Sequence, residues 1–172
     1  MQGMDRVKLA LLILSAVTTP AIATSADTDH PAAAVVLTFN RAISARDMET
    51  ALAQLADGSV QFQLHPAHPG MPADPPLTDD LRKTWQVVAA ILFPSTESYL
   101  RDVSITAVRA DGELATVWAQ TRTVTQRKGQ QAPMELEFSE LYLLANRNGE
   151  GWRIIANASN RPVDDVAVAS GD

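Results

Sequence analysis

From Pro31 to about Ala45, the apolar residues Val35, Val36, Phe39, Ala42 and Ile43 recur at helical spacing, with Asn40, Arg41 and Ser44 between them. That period predicts an amphipathic helix. Asp47 then stands as an N-cap for a second helix through Leu52 and Leu55 to Ala56. Asp57-Gly58 breaks it, and the following SVQFQL alternates polar and apolar side chains as a strand does. Residues 65–77 carry five prolines, which bar helix and ladder pairing alike. Thr78, with Asp79 and Asp80 in the first turn, predicts a third helix whose stripe is Leu81, Trp85, Val88 and Leu92, stopped by Pro94. Beyond Pro94 the period shortens to two. Val103, Ile105 and Ala107 alternate with polar residues before the hairpin signal Asp111-Gly112. Leu114 to Gln126, rich in Thr and Val, is turned by Lys128-Gly129; Met134 to Ala145 is turned by NRNGEG; Trp152 to Ser159 ends the run. The expected class is α+β: three helices and one early strand, then a four-stranded antiparallel meander, with the helices on one face of a curved sheet.

Composition changes this picture at the ends. Arg6 and Lys8 precede an apolar run from Leu9 to Val17 and the small residues Ala21-Ile22-Ala23, the pattern of an export signal. The alternative, a retained anchor, has an apolar run short of the ~20 residues that span a bilayer. The domain plan is therefore a signal peptide over 1–23, a mobile polar linker over 24–30, one domain over 31–160 and a polar tail over 161–172. The expected location is the periplasm or the exterior, with no stable membrane anchor after cleavage. A formal net charge of −6 makes the chain a poor partner for nucleic acid, whose binding rests on Lys and Arg neutralising phosphates. With no cysteine there are no disulfides and no thiolate metal ligands.

The run FNRAISARDMETALAQLADGSVQF and the ending ELYLLANRNGEGWRIIANAS together resemble the nuclear transport factor 2-like superfamily, which includes ketosteroid isomerases, polyketide cyclases and scytalone dehydratases. The resemblance covers about residues 31–160. It implies a cone-shaped domain whose sheet wraps the N-terminal helix around an apolar pocket, and homodimers formed through the outer sheet face. It also implies three places for isomerase chemistry. The tyrosine place falls on Phe39, which has no hydroxyl. The base place falls on Phe62, or on His65 if the match is anchored on the following proline. The late acid falls near Glu140.

In strict alternation Glu140 shares a face with Met134, Leu136, Phe138 and Tyr142. There it would be a pocket acid, since a bare buried charge is costly and a general acid needs a held proton. A bulge would instead turn it into water beside Glu135 and Glu137. His65 and His68 open the proline-rich loop where the first strand ends. Pro66 and Pro69 exclude the helical His-x-x-His geometry, and beyond the two imidazoles the only nearby ligand is Asp74, so no metal is expected. His65 as a pocket base stands beside the plainer reading of an exposed loop over the pocket mouth. Trp85 is read as core or pocket wall, Trp118 as outer-face surface, and Asn157 as a residue that orients a ligand without acting as a base.

Together these readings favour an exported pocket protein that binds a small apolar molecule, or a dimerising module, without catalysis. The ligand pocket is expected at Phe39, Phe62, Trp85, Tyr142 and Asn157. The alternative is a cofactor-independent isomerase, dehydratase or cyclase using Glu140 as acid and His65 as base. No cofactor is expected in either case.

Overall fold

The first helix, α1 (Pro31–Ser44), begins where the sequence period does. Pro31 occupies the first turn, where a missing N–H costs nothing, and the His30 ring accepts a hydrogen bond from the Ala32 amide at 3.1 Å. His30, expected in the polar linker, thus caps the helix and also stands edge-on to Trp152. Asp47 caps α2 (Met48–Ala53) as expected, accepting from the Thr50 amide at 3.0 Å. The helix is shorter than its apolar spacing suggests. Leu55 and Ala56 already belong to β1 (Leu55–Gln63), and Asp57-Gly58 lies inside that strand. Gly58, at φ +70°, absorbs an irregularity in register between Leu55 and Val60, so the turn signal marks a bulge.

The computed structural model describes residues 29–65, 77–78 and 80–162 of the chain. The expected leader, most of the linker, His68, Asp74 and the tail beyond Pro162 lie outside these residues. Of the proline-rich segment, β2 (Leu77–Thr78) pairs antiparallel with β1. Thr78 is therefore strand, and the cap of α3 (Leu81–Ser95) is Asp80, which accepts from the Lys83 amide at 2.9 Å. Pro94 sits in the last turn of α3 and β3 (Thr96–Asp111) follows at once. Arg46, in the left-handed region at φ 61° between α1 and α2, donates to the carbonyls of Phe93, Thr96 and Glu97, each at 3.1 Å. The first is a carbonyl that the helix end leaves orphaned and the other two open β3, so one side chain ties the α1–α2 corner to the α3–β3 junction.

The remaining strands are β4 (Leu114–Arg127), β5 (Met134–Ala145) and β6 (Arg153–Ser159). The sheet order is β2-β1-β6-β5-β4-β3, and the sheet does not close. β3 to β6 form the expected antiparallel meander. One pair departs from it: β6 lies between β5 and β1 and runs parallel to β1, so the sheet is mixed. The helices leave β1 free to enter beside the last strand, which a hairpin could not do.

The inner face of this sheet has two halves. On β4 the inward positions read Ala115, Val117, Ala119 and then Thr121, Thr123, Thr125, all buried. On β5, Leu144 and Tyr142 give way to Glu140, and on β6 Ile154 gives way to Asn157 and Ser159. The apolar half is covered by α1, whose Val36, Phe39 and Ile43 join Val117, Tyr142, Leu144 and Ile154 in one core. The polar half continues beyond α1 toward α3.

Candidate functional site

Between α3 and the polar half of the sheet lies a cavity of about 560 Å³. Its two walls differ. The α3 wall presents Trp85, Val88, Ile91 and Leu92, residues that share one helical face. Ile91 is 68% exposed and Val88 38%, so this wall presents an exposed apolar patch. The opposite wall is built from strands and is mixed: polar Gln61, Arg101, Thr125, Glu140 and Ser159 stand among Tyr99, Met134 and Phe138.

At its floor is a buried ion pair. Glu140 is 2% exposed and faces inward because β5 keeps strict alternation, with no bulge at that point. Its Oε2 accepts from the Arg101 guanidinium, from Thr121 Oγ1 at 2.7 Å and from Tyr142 Oη at 2.9 Å. Its Oε1 receives only a long contact of 3.5 Å from Asn157 Nδ2, and Gln61 Nε2 donates to Asn157 Oδ1 at 3.2 Å. Arg101 also donates through Nε to Asn40 Oδ1, while Asn40 Nδ2 donates to the Val36 carbonyl at 2.8 Å and to Tyr142 Oη at 3.2 Å. Thus α1, β3, β4, β5, β6 and β1 are joined by a single network. Almost every buried polar group in it has a partner, the condition under which such a network is tolerable.

The electrostatics follow from burial and pairing. Burial pulls the Arg101 guanidinium down, but the Glu140 carboxylate acting together with Tyr142 and Tyr99 outweighs it and holds the arginine well above its ordinary value. Burial, reinforced by the Glu140 charge, pushes the Tyr142 hydroxyl above its ordinary value near 10. Below about pH 10 that hydroxyl is protonated in both folded and unfolded chains, and no pH dependence arises from it. Above about pH 10 the unfolded chain releases a proton that the folded chain keeps. Stability then falls with rising pH, at up to about 1.4 kcal/mol per pH unit from this group. Urea denaturation between pH 9 and 11 is expected to show that component in the parent protein and its loss in Tyr142→Phe.

The expected site residues divide. Glu140, His65 and Trp85 line the cavity together, Glu140 at the buried floor and His65 at the exposed rim. His65 Nε2 lies 3.2 Å from Asn160 Oδ1. Tyr142 and Asn157 are behind the lining and act through Glu140. Phe39 is core, 2% exposed, its ring edge-on to Trp85 at 5.7 Å. Phe62 is 41% exposed on the outer sheet face, because Gln61 and Gln63 take the inward parity of β1. Neither phenylalanine therefore lines the cavity. Among the described residues, no three His, Asp or Glu side chains converge as a metal cluster.

Arg101 and Asn40 carry the site and were not among its expected members. Arg101 has the same strand parity as Tyr99, Val103 and Ile105. A carboxylate expected on the inner face of one strand calls for a cation on a neighbour, and that parity rule points to Arg101.

Solved structures share this architecture. The chain is similar to a ketosteroid isomerase-like protein from Erwinia carotovora atroseptica, with 16% identity, TM-score 0.60, and coverage of 78% of this chain and 96% of that one. A candidate dehydratase of the nuclear transport factor 2-like family from Streptomyces avermitilis aligns at 18% identity and TM-score 0.58, over 80% of this chain and 98% of that one. A protein of unknown function with a cystatin-like fold from Nostoc punctiforme aligns at 11% identity and TM-score 0.55, over 75% and 86% of the two chains. At these identities the likeness is one of fold: the chain has a nuclear transport factor 2-like, cystatin-like α+β fold. No protein-family model and no curated protein matches it.

Proposed function

We propose that this chain is an exported pocket protein that binds a small, largely apolar molecule without transforming it. The observation that carries this reading is the cavity of about 560 Å³ with one apolar helical wall, a volume in the range of small-molecule sites. The export part rests on the leader pattern of residues 1–23. Native mass spectrometry of the protein purified from its own periplasm tests both parts, with a leaderless mass and a bound small molecule as the expected result. A leaderless protein that never carries or takes up an apolar molecule ends the binding reading. Filling the cavity gives a second check. Val88→Trp, on the exposed α3 wall, is expected to weaken uptake of an apolar fluorescent probe at least tenfold while leaving the melting temperature within a few degrees.

Catalysis is the second reading, because Glu140 and His65 line one cavity. The hydrogen bonds argue against Glu140 as the acid. Its Oε2 already accepts from three donors, one of them cationic, so that oxygen is engaged as an acceptor within the network. Phe39 supplies no hydroxyl to the site.

The outer sheet face suits a second copy of the chain. Register aligns Ala107, Trp118, Leu141, Ala158 and Phe62 in one apolar row across five strands, with Trp118 46% exposed. Sedimentation velocity is expected to give a dimer that Trp118→Glu converts to monomer. A monomeric parent protein removes the dimer from the proposal.

A further inference from the structure

The cavity's floor carries more than shape. The Arg101 guanidinium is 8% exposed, lies between the rings of Trp85 and Phe138 at 5.9 and 5.7 Å, and borders the cavity. Its hydrogen bonds run through Nε, to Asn40, and through Nη2, to Glu140 and Tyr142. Nη1 has no hydrogen-bond partner among the described residues. A guanidinium presents its donors in a rigid planar fork, so a buried one with two edges committed offers the third in a fixed direction. Leaving that edge unpaired in a site closed by a ligand would be costly, and an incoming oxygen satisfies it. Arg101 already balances the charge of Glu140, which limits that carboxylate's attraction for a cation. A second guanidinium, Arg127, stands at the exposed rim, so the lining arginines outnumber the lining carboxylate. In a chain of net charge −6 this is a local reversal of sign.

We propose that the ligand is an amphipathic monocarboxylate. Its carboxylate accepts from Arg101 Nη1, so the guanidinium bridges it to Glu140, and its hydrocarbon body lies along Trp85, Val88, Ile91 and Leu92. This rests on the pocket reading and adds the head group to it. Arg127 draws the anion to the mouth; Arg101 holds it at the floor.

The test compares octanoate, 1-octanol and octylamine by isothermal titration against the full mature chain. Octanoate is expected to bind at least tenfold more tightly than octanol, with octylamine weakest. The octanoate-to-octanol ratio should fall severalfold in Arg127→Gln, a rim change that leaves the core intact. In Arg101→Lys, which keeps a cation for Glu140 but loses the fork, the ratio should fall toward one. Equal binding of octanoate and octanol overturns the carboxylate proposal while the pocket reading survives. Preference for octylamine, or a ratio that neither variant alters, overturns it as well. Failure of all three probes to bind removes both.

Discussion

Arg101→Met is expected to lower the unfolding free energy by about 3–5 kcal/mol, because it strands the Glu140 carboxylate in the interior without its countercharge. Both side chains are almost fully enclosed, 7% and 2% exposed, so solvent offers little relief. Asn40 loses its cationic partner at the same time. The double variant Arg101→Met/Glu140→Gln is expected to recover at least half of that loss. The glutamine carbonyl still accepts from Thr121 and Tyr142, and no bare charge remains. The distinction is physical: breaking a buried pair is expensive even where the intact pair has small net worth against an uncharged replacement. Urea titrations followed by circular dichroism measure both variants. A loss below about 1 kcal/mol for Arg101→Met would class the pair with surface contacts and contradict the closed network.

The second large effect is expected at Phe39. Truncation to alanine removes a ring that is 2% exposed at the junction of α1 with α3, and such deletions cost about 3–5 kcal/mol. The melting midpoint should drop by roughly 10 °C or more. Phe39 backs Trp85, and Trp85 forms part of the cavity wall, so apolar ligand affinity should fall with it. A variant that melts normally but no longer binds would place Phe39 in the lining, against its geometry. Phe39 thus supports a wall of the cavity from behind, without lining it.

Much of this arrangement was legible in residue spacing. The helical period of Val35 to Ile43 and the two-residue period of Met134 to Ala145 correspond to α1 and β5, and the second of these carried Glu140 inward. What was not legible had local causes. Asp57-Gly58 looks like a chain break, yet glycine's access to positive φ also serves a bulge, and pairing with β6 decided between them. The family place that puts Phe62 in the pocket is ambiguous between Phe62 and His65, three residues apart. The strand parity of Phe62, opposite to Gln61, already put it outside. Reading parity on β1 and β3 as strictly as on β5 would have exchanged Phe62 for Gln61 and added Arg101. Asn40 was harder, since a polar residue between apolar ones on a helix is normally a solvated position. The distant Arg101 and Tyr142, together with the Val36 carbonyl, make burial there tolerable.

The place of β6 between β1 and β5 has a consequence for how the molecule is made. The earliest strand obtains its principal partner from the last seven residues of the sheet, so parts of the domain far apart in sequence are joined side by side at its middle. Such distant pairing cannot begin while the C-terminal part is still being synthesised, and it slows closure once begun. A domain whose first strand waits for Ser159 is poorly suited to losing its final hairpin.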